Sequence, residues 1–201
     1  DNFTSKVNMI SSIFSHCRVQ TLRFLFNSFC TAFYGAPLWS LSDRIFEPFA
    51  VSWRKGVRRL LRLSPRTRSK LLPFLIDSID IKAQIMCRLA GFVCRLRDSC
   101  NPLIRMCVSL LPSSSSVFAG NISLLASEID VEPSALLGSV GHGRLHSDII
   151  ESWESNASED AAISASILLD LLDTRWARDE SFLSREEVSF GVEFLCHQDY
   201  G

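Results

Sequence analysis

Apolar residues recur at three- and four-residue intervals through most of this chain, the spacing that lines one face of an α-helix, and no stretch alternates convincingly with period two. A short helix is expected from Lys6 to about His16, burying Val7, Ile10, Ile13 and Phe14. From Arg18 to Tyr34 a wide apolar face gathers Val19, Leu22, Leu25, Phe26, Phe29, Cys30 and Phe33, and Gly35-Ala36-Pro37 should stop it. A third helix is expected from about Asp43 or Glu47 to Leu63, with Pro48 tolerable near its start and Ser64-Pro65 at its end. Beyond lie a helical turn at Leu71 to Ile76 and a long helix from an Asp80 N-cap to about Arg97. A short helix should follow Asn101-Pro102.

Past the serine run Ser113 to Ser116 the pattern weakens. Val117 to Glu128 is compatible with a helix, whereas Val131 to His146, with Pro133 and three glycines, reads as a loop. Ser158 to about Arg178 should be helical, carrying Ile163, Ile167, Leu168, Leu171 and Leu172. Ser184-Arg185-Glu186-Glu187 has the spacing of a capping box opening a last helix through Cys196. The expected fold class is all-α.

Charge divides the same chain in two. Up to Pro112 there are 17 Lys+Arg and 6 Asp+Glu, so 17 − 6 = +11; from Ser113 onward 4 − 16 = −12. The serine run at the sign change is the expected boundary between a basic helical domain, 1–112, and an acidic helical extension, 113–201, with its loop-rich stretch at about 129–146. With 47% hydrophobic residues the chain is no disordered or low-complexity segment. It starts at Asp with no secretory leader pattern, so a piece of something longer is expected.

The densest positive charge has a helical geometry. At 100° per residue Arg54, Lys55, Arg58, Arg59 and Arg62 cover roughly 140° of a helix surface, while Phe46, Phe49, Ala50, Trp53, Val57, Leu60 and Leu61 take the opposite side. Arg66, Arg68 and Lys70 extend the run, and no acidic residue lies between Pro48 and Ile76. Like charges four residues apart repel by a few tenths of a kcal/mol, so a merely solvated face usually mixes signs. Such a face suits a phosphate backbone; an acidic protein surface, the chain's own acidic half or an anionic membrane would also attract it.

Other chemistries find less support. The seven cysteines form no C-x-x-C pair, and Cys87/Cys94 and Cys100/Cys107 are seven apart, roughly 10 Å along a helix, too far to share a zinc ion side by side. With His16, His142, His146 and His197 scattered, neither a metal nor a cofactor is expected, and the thiols suit an intracellular protein, cytoplasmic or nuclear. Phe24 to Ser42 is uncharged and nearly long enough to span a membrane, but its polar residues, Gly35 and Pro37 favour a buried helix. Gly141-His142-Gly143 lacks the strand and Lys-Ser/Thr of a phosphate loop. The pairs Glu159-Asp160, Asp179-Glu180 and Glu186-Glu187 sit where helix starts favour negative charge. Trp39 and Trp53 fall on apolar faces and read as core.

Tyr34-Gly35-Ala36-Pro37-Leu38-Trp39, then Trp53-Arg54-Lys55-Gly56-Val57-Arg58-Arg59-Leu60-Leu61, then Leu63, Pro65, Thr67 and Leu71-Leu72 resemble the region after the palm in LINE-type, non-long-terminal-repeat retrotransposon reverse transcriptases. Lys6-Val7-Asn8, Arg88 to Leu96 and Leu183 to Glu187 with Leu195-Cys196 are also similar, and most of Ser113 to Asp160 is not. The resemblance implies a helical bundle of the polymerase-thumb kind with a looser helical extension. It also implies that Arg54, Lys55, Arg58, Arg59 and Arg62 meet the backbone of an RNA–DNA hybrid or duplex beside the palm and fingers of the same polyprotein. The aromatic-x-Asp-Asp motif that holds catalytic metals in that family is absent, so no polymerase activity is expected of this chain alone, and Gly56 stands where a better helix former is usual.

Overall fold

The computed structural model describes residues 2–111, 114–138, 141–157 and 159–177. Among these the chain is all-α, with helices α1 (Asn2–Ile13), α2 (Val19–Leu25), α3 (Asp43–Leu60), α4 (Leu72–Ile76), α5 (Ile81–Arg97), α6 (Pro102–Leu110), α7 (Val117–Glu128), α8 (Pro133–Leu136), α9 (His142–Asn156) and α10 (Glu159–Ala177), and no strand. Side-chain caps fix three of the starts: Asp80 accepts from the Lys82 amide at 3.0 Å, Asn101 from Leu103 at 2.9 Å and Ser116 from Ala119 at 3.2 Å. The expected last helix, Ser184 to Cys196, lies outside the described residues.

Several expectations shift. The helix expected to reach Tyr34 widens into a π turn at Phe26–Cys30 and stops there. Asn27 donates to the Ile76 carbonyl at 2.9 Å and the Thr31 hydroxyl bonds back to the Asn27 carbonyl, so local polar groups end the helix before Gly35 does. Gly35, at φ +71°, then turns the chain into a 3-10 turn at Ala36–Leu38. The stretch expected as loop holds α8 and the start of α9, because Pro133 occupies the first position of a helix, where its missing N–H costs nothing. Ile13 and Phe29, expected inside, are exposed.

Two compact units emerge, and neither ends at Pro112. One contains the described residues of Asp1–Phe33, Val51–Ser78 and Ala157–Gly201; the other contains Tyr34–Ala50 and Ile79–Asn156. Each draws on both the basic and the acidic stretch because the acidic helices carry apolar faces of their own. In the first unit α10 buries Ala161, Ala165, Leu168 and Leu172 and packs on α2, α4 and the 3-10 turn Ser69–Leu71. In the second, α6, α7 and α9 pack on α5. Burial of apolar surface, at roughly 25 cal/mol per Å², decides the grouping, and sequence charge does not.

Within the second unit a single polar side chain ties distant segments. Asn121 of α7, buried, accepts from the Leu41 amide at 3.0 Å and donates to the Trp39 carbonyl at 2.6 Å. The Trp39 ring meets Phe49 edge-on at 5.2 Å, and Phe92 of α5 meets Phe118 of α7 at 5.7 Å.

In the first unit the core is aromatic. Trp53 is fully buried and its ring lies 6.4 Å from that of Phe26; Phe3 lies 6.1 Å from Phe26 and 6.2 Å from Phe33. A Cβ on Gly56 would fall 2.9 Å from Phe3 Cε1 and 3.4 Å from Val7 Cγ2, so α1 sits directly on the α3 backbone there. The helix-weakening glycine is thereby explained. Gly56→Leu is expected to destabilise by more than about 2 kcal/mol in thermal or denaturant unfolding. Combining it with Phe3→Ala should recover part of the loss, and fully additive losses would show that the contact is unimportant.

Candidate nucleic-acid interface

All eight cations singled out in the sequence lie in the first unit. Arg54, Lys55, Arg58 and Arg59 belong to α3, whose opposite side buries Trp53, Val57 and Leu60, with Leu61 just past its end. That anchoring fixes the rotation of the helix and hence the direction of its charged face. Lys55, Arg59, Arg62, Arg66 and Lys70 are exposed; Arg54, Arg58 and Arg68 are half-buried. Among the described residues no carboxylate pairs with Lys55, Arg59 or Lys70.

The helix ends three residues before the expected Leu63. Leu63 N–H donates to the Arg58 carbonyl at 2.8 Å and Arg62 N–H to that of Arg59 at 3.2 Å, with Arg62 at φ +52°. This is a Schellman closure in which arginine occupies the left-handed position that glycine usually fills, at a strain of roughly 1–2 kcal/mol. Arg62 therefore leaves the helical register of the other four, and its guanidinium donates to the Ser15 carbonyl at 3.0 Å.

Arg58 also has a specific geometry. Its Nε and Nη2 donate to the Thr67 carbonyl at 3.1 and 2.7 Å, and Nη2 donates to Ser69 Oγ at 2.9 Å. The guanidinium thus braces the loop that carries Arg66, Arg68 and Lys70 against the helix that carries Lys55 and Arg59. Sequence spacing grouped Arg58 with the outward cations because it registers helical phase alone. The bonds to the Thr67 and Ser15 carbonyls depend on where loops return, which no helical period encodes.

Among the described residues no three His, Cys, Asp or Glu side chains cluster as a metal site, and no helix is long and apolar enough to cross a membrane. The six described cysteines are free. Burial pushes the thiols of Cys30 and Cys87 up to about 11, which keeps them protonated and unreactive at neutral pH, while Cys100 and Cys107 are exposed. No family model, curated protein or solved structure matches this chain.

Iodoacetamide at pH 7.5 should label Cys100 and Cys107 well before Cys30 and Cys87, as peptide mass spectrometry would show; simultaneous labelling would contradict the burial. Arg58→Ala should cost about 1–3 kcal/mol through the abandoned Thr67 carbonyl and speed hydrogen exchange across 64–70. Arg62→Gly should not lower the melting temperature, because relief of left-handed strain offsets the exposed Ser15 bond. Lys55→Ala and Arg59→Ala should stay within about 0.5 kcal/mol of the parent.

Proposed function

We propose that this chain is a non-catalytic, thumb-like part of an RNA-directed DNA polymerase of the LINE-type retrotransposon kind, gripping the backbone of a primer–template duplex without sequence preference. The observation that carries the reading is the exposed row of Lys55, Arg59, Arg66 and Lys70 on a helix fixed by Trp53 and a loop fixed by Arg58, with no acidic residue from Pro48 to Ile76. Such cations neutralise phosphates and release condensed counterions, which needs no base contact. Arginine adds bidentate phosphate geometry. Partners in this reading are an RNA–DNA hybrid or duplex and the palm and fingers of the same polyprotein, inside the cell, in nucleus or cytoplasm. In this reading the helical bundle is of the thumb kind, catalysis resides in those other parts, and the grip on the duplex calls for no cofactor or metal.

A second reading has one observation in its favour. The acidic-stretch helix α10 packs on the turn Ser69–Leu71, which carries Lys70. In that reading the basic face serves protein contacts, with an acidic partner or with the acidic segments of this chain. Salt separates the two: structural charge attraction would make the melting temperature fall as salt rises from low to moderate concentration.

The full chain is expected to bind an RNA–DNA hybrid with log K falling against log salt at a slope of roughly −3 to −5, about one unit per neutralised phosphate. Lys55→Glu, Arg59→Glu and Lys70→Glu together should abolish binding without unfolding the protein. Salt-independent binding, or full binding by the triple variant, would remove this reading.

A further inference from the structure

The basic loop after α3 carries one hydroxyl that differs from its neighbours. Ser69, the first residue of the 3-10 turn Ser69–Leu71, is exposed, whereas Thr67 is buried and Ser64 is half-buried, its Oγ accepting from the Arg66 amide at 3.2 Å. Arg66 and Arg68 precede Ser69 by three residues and by one, and Lys70 follows it. An exposed serine with arginine three residues before it matches the charge pattern that acid-lined protein-kinase clefts select. The backbone fits as well: Arg68 is extended, at φ −55° and ψ 132°, so the chain enters Ser69 in the drawn-out form such a cleft accepts. Thr21 and Ser147 also have arginine three residues before them, but they lie inside α2 and α9, where helical hydrogen bonds hold the chain closed.

The surroundings suit the product of such a reaction. Arg58 Nη2 donates to Ser69 Oγ at 2.9 Å, from a guanidinium already fixed by its bonds to the Thr67 carbonyl. Leu71 is the buried member of the turn, on which α10 packs, while Ser69 stays in water. A phosphoryl group on this oxygen brings about −1.5 to −2 charge at neutral pH and three strong acceptors. It arrives in a stretch with no acidic residue from Pro48 to Ile76, beside a guanidinium whose charge-assisted bonds are roughly twice as strong as neutral ones.

We propose that Ser69 is a phosphate-acceptor site for an arginine-directed protein kinase, and that the phosphate, joined to Arg58, switches off the basic surface. In the transfer Ser69 Oγ bonds to the γ-phosphorus of a nucleoside triphosphate and the bond from that phosphorus to the β,γ-bridging oxygen breaks. The nucleoside diphosphate leaves, and the hydroxyl proton passes to the kinase. The switch rests on the nucleic-acid reading; the modification site does not. A phosphate at Ser69 takes up cations that otherwise meet duplex phosphates, so affinity and salt dependence fall together.

The site is tested by treating the full chain with the catalytic subunit of cyclic-AMP-dependent protein kinase and magnesium ATP, then mapping phosphate by peptide mass spectrometry. Ser69 should gain one phosphate, Ser69→Ala should abolish that signal, and Arg66→Ala should slow it at least about tenfold, with Thr21 and Ser147 left unmodified. The phosphoprotein should exchange amide hydrogens across 64–70 more slowly than the unmodified protein. No phosphate at Ser69, or a phosphate that leaves this exchange unchanged, would overturn the site. The switch is tested by the affinity of both forms for an RNA–DNA hybrid: the phosphoprotein should bind at least about tenfold more weakly, with a salt slope shallower by about one to two units. Equal binding by the two forms would overturn the switch alone. Failure of both forms to bind would overturn the nucleic-acid reading and the switch with it, while a mapped phosphate with slowed exchange would uphold the modification site.

Discussion

The rotation of α3 about its own axis is the constraint on which the charged surface depends. Trp53, with no exposed area, cannot leave its place against Phe26 without opening a cavity worth several kcal/mol. Gly56 lets Phe3 and Val7 of α1 approach the α3 backbone closely, which fixes the helix in depth as well as in phase. Once those contacts are made, Lys55 and Arg59 have nowhere to point but outward. The cost of grouping like charges, a few tenths of a kcal/mol per pair, is small beside this packing, so the fold can hold a repulsive surface in place.

The loop after α3 shows how a surface of this kind is extended beyond one helix. A basic loop of seven residues would otherwise sample many conformations, at roughly 1–2 kcal/mol of backbone entropy per ordered residue. Arg58 supplies bonds to the Thr67 carbonyl and Ser69 hydroxyl, and Thr67 itself is buried. One arginine is thus directed inward so that its neighbours can be held outward. The same division of labour recurs at Arg62, whose side chain ties the helix end to Ser15.

Much of the secondary structure was legible because it rests on local chemistry: the apolar period of α3 and α5, the Asp80 cap and Pro102 at the start of α6. What sequence did not reveal depends on distant partners. Helical period alone put Ile163, Ile167 and Leu171 together with Leu168 and Leu172, yet only the last two are buried and the first three stay about half exposed. The sign change in charge at Ser113 suggested a domain boundary, but the compact units exchange segments across it, since α10 finds its apolar partners in α2 and α4. The eight basic residues fall on one unit, whereas the inward turn of Arg58 required knowing where Thr67 returns.

The π turn at Phe26–Cys30 has a consequence for how this helix tolerates changes in length. A π turn holds one residue more than the α turn it replaces. Deleting a single residue there would convert it to regular α-helix and leave the residues after it in their present phase, so that Cys30 would stay in the core. The segment is thus a local length buffer: one residue can be lost within 26–30 without turning the flanking side chains, whereas a second loss would rotate whatever follows by about 100°.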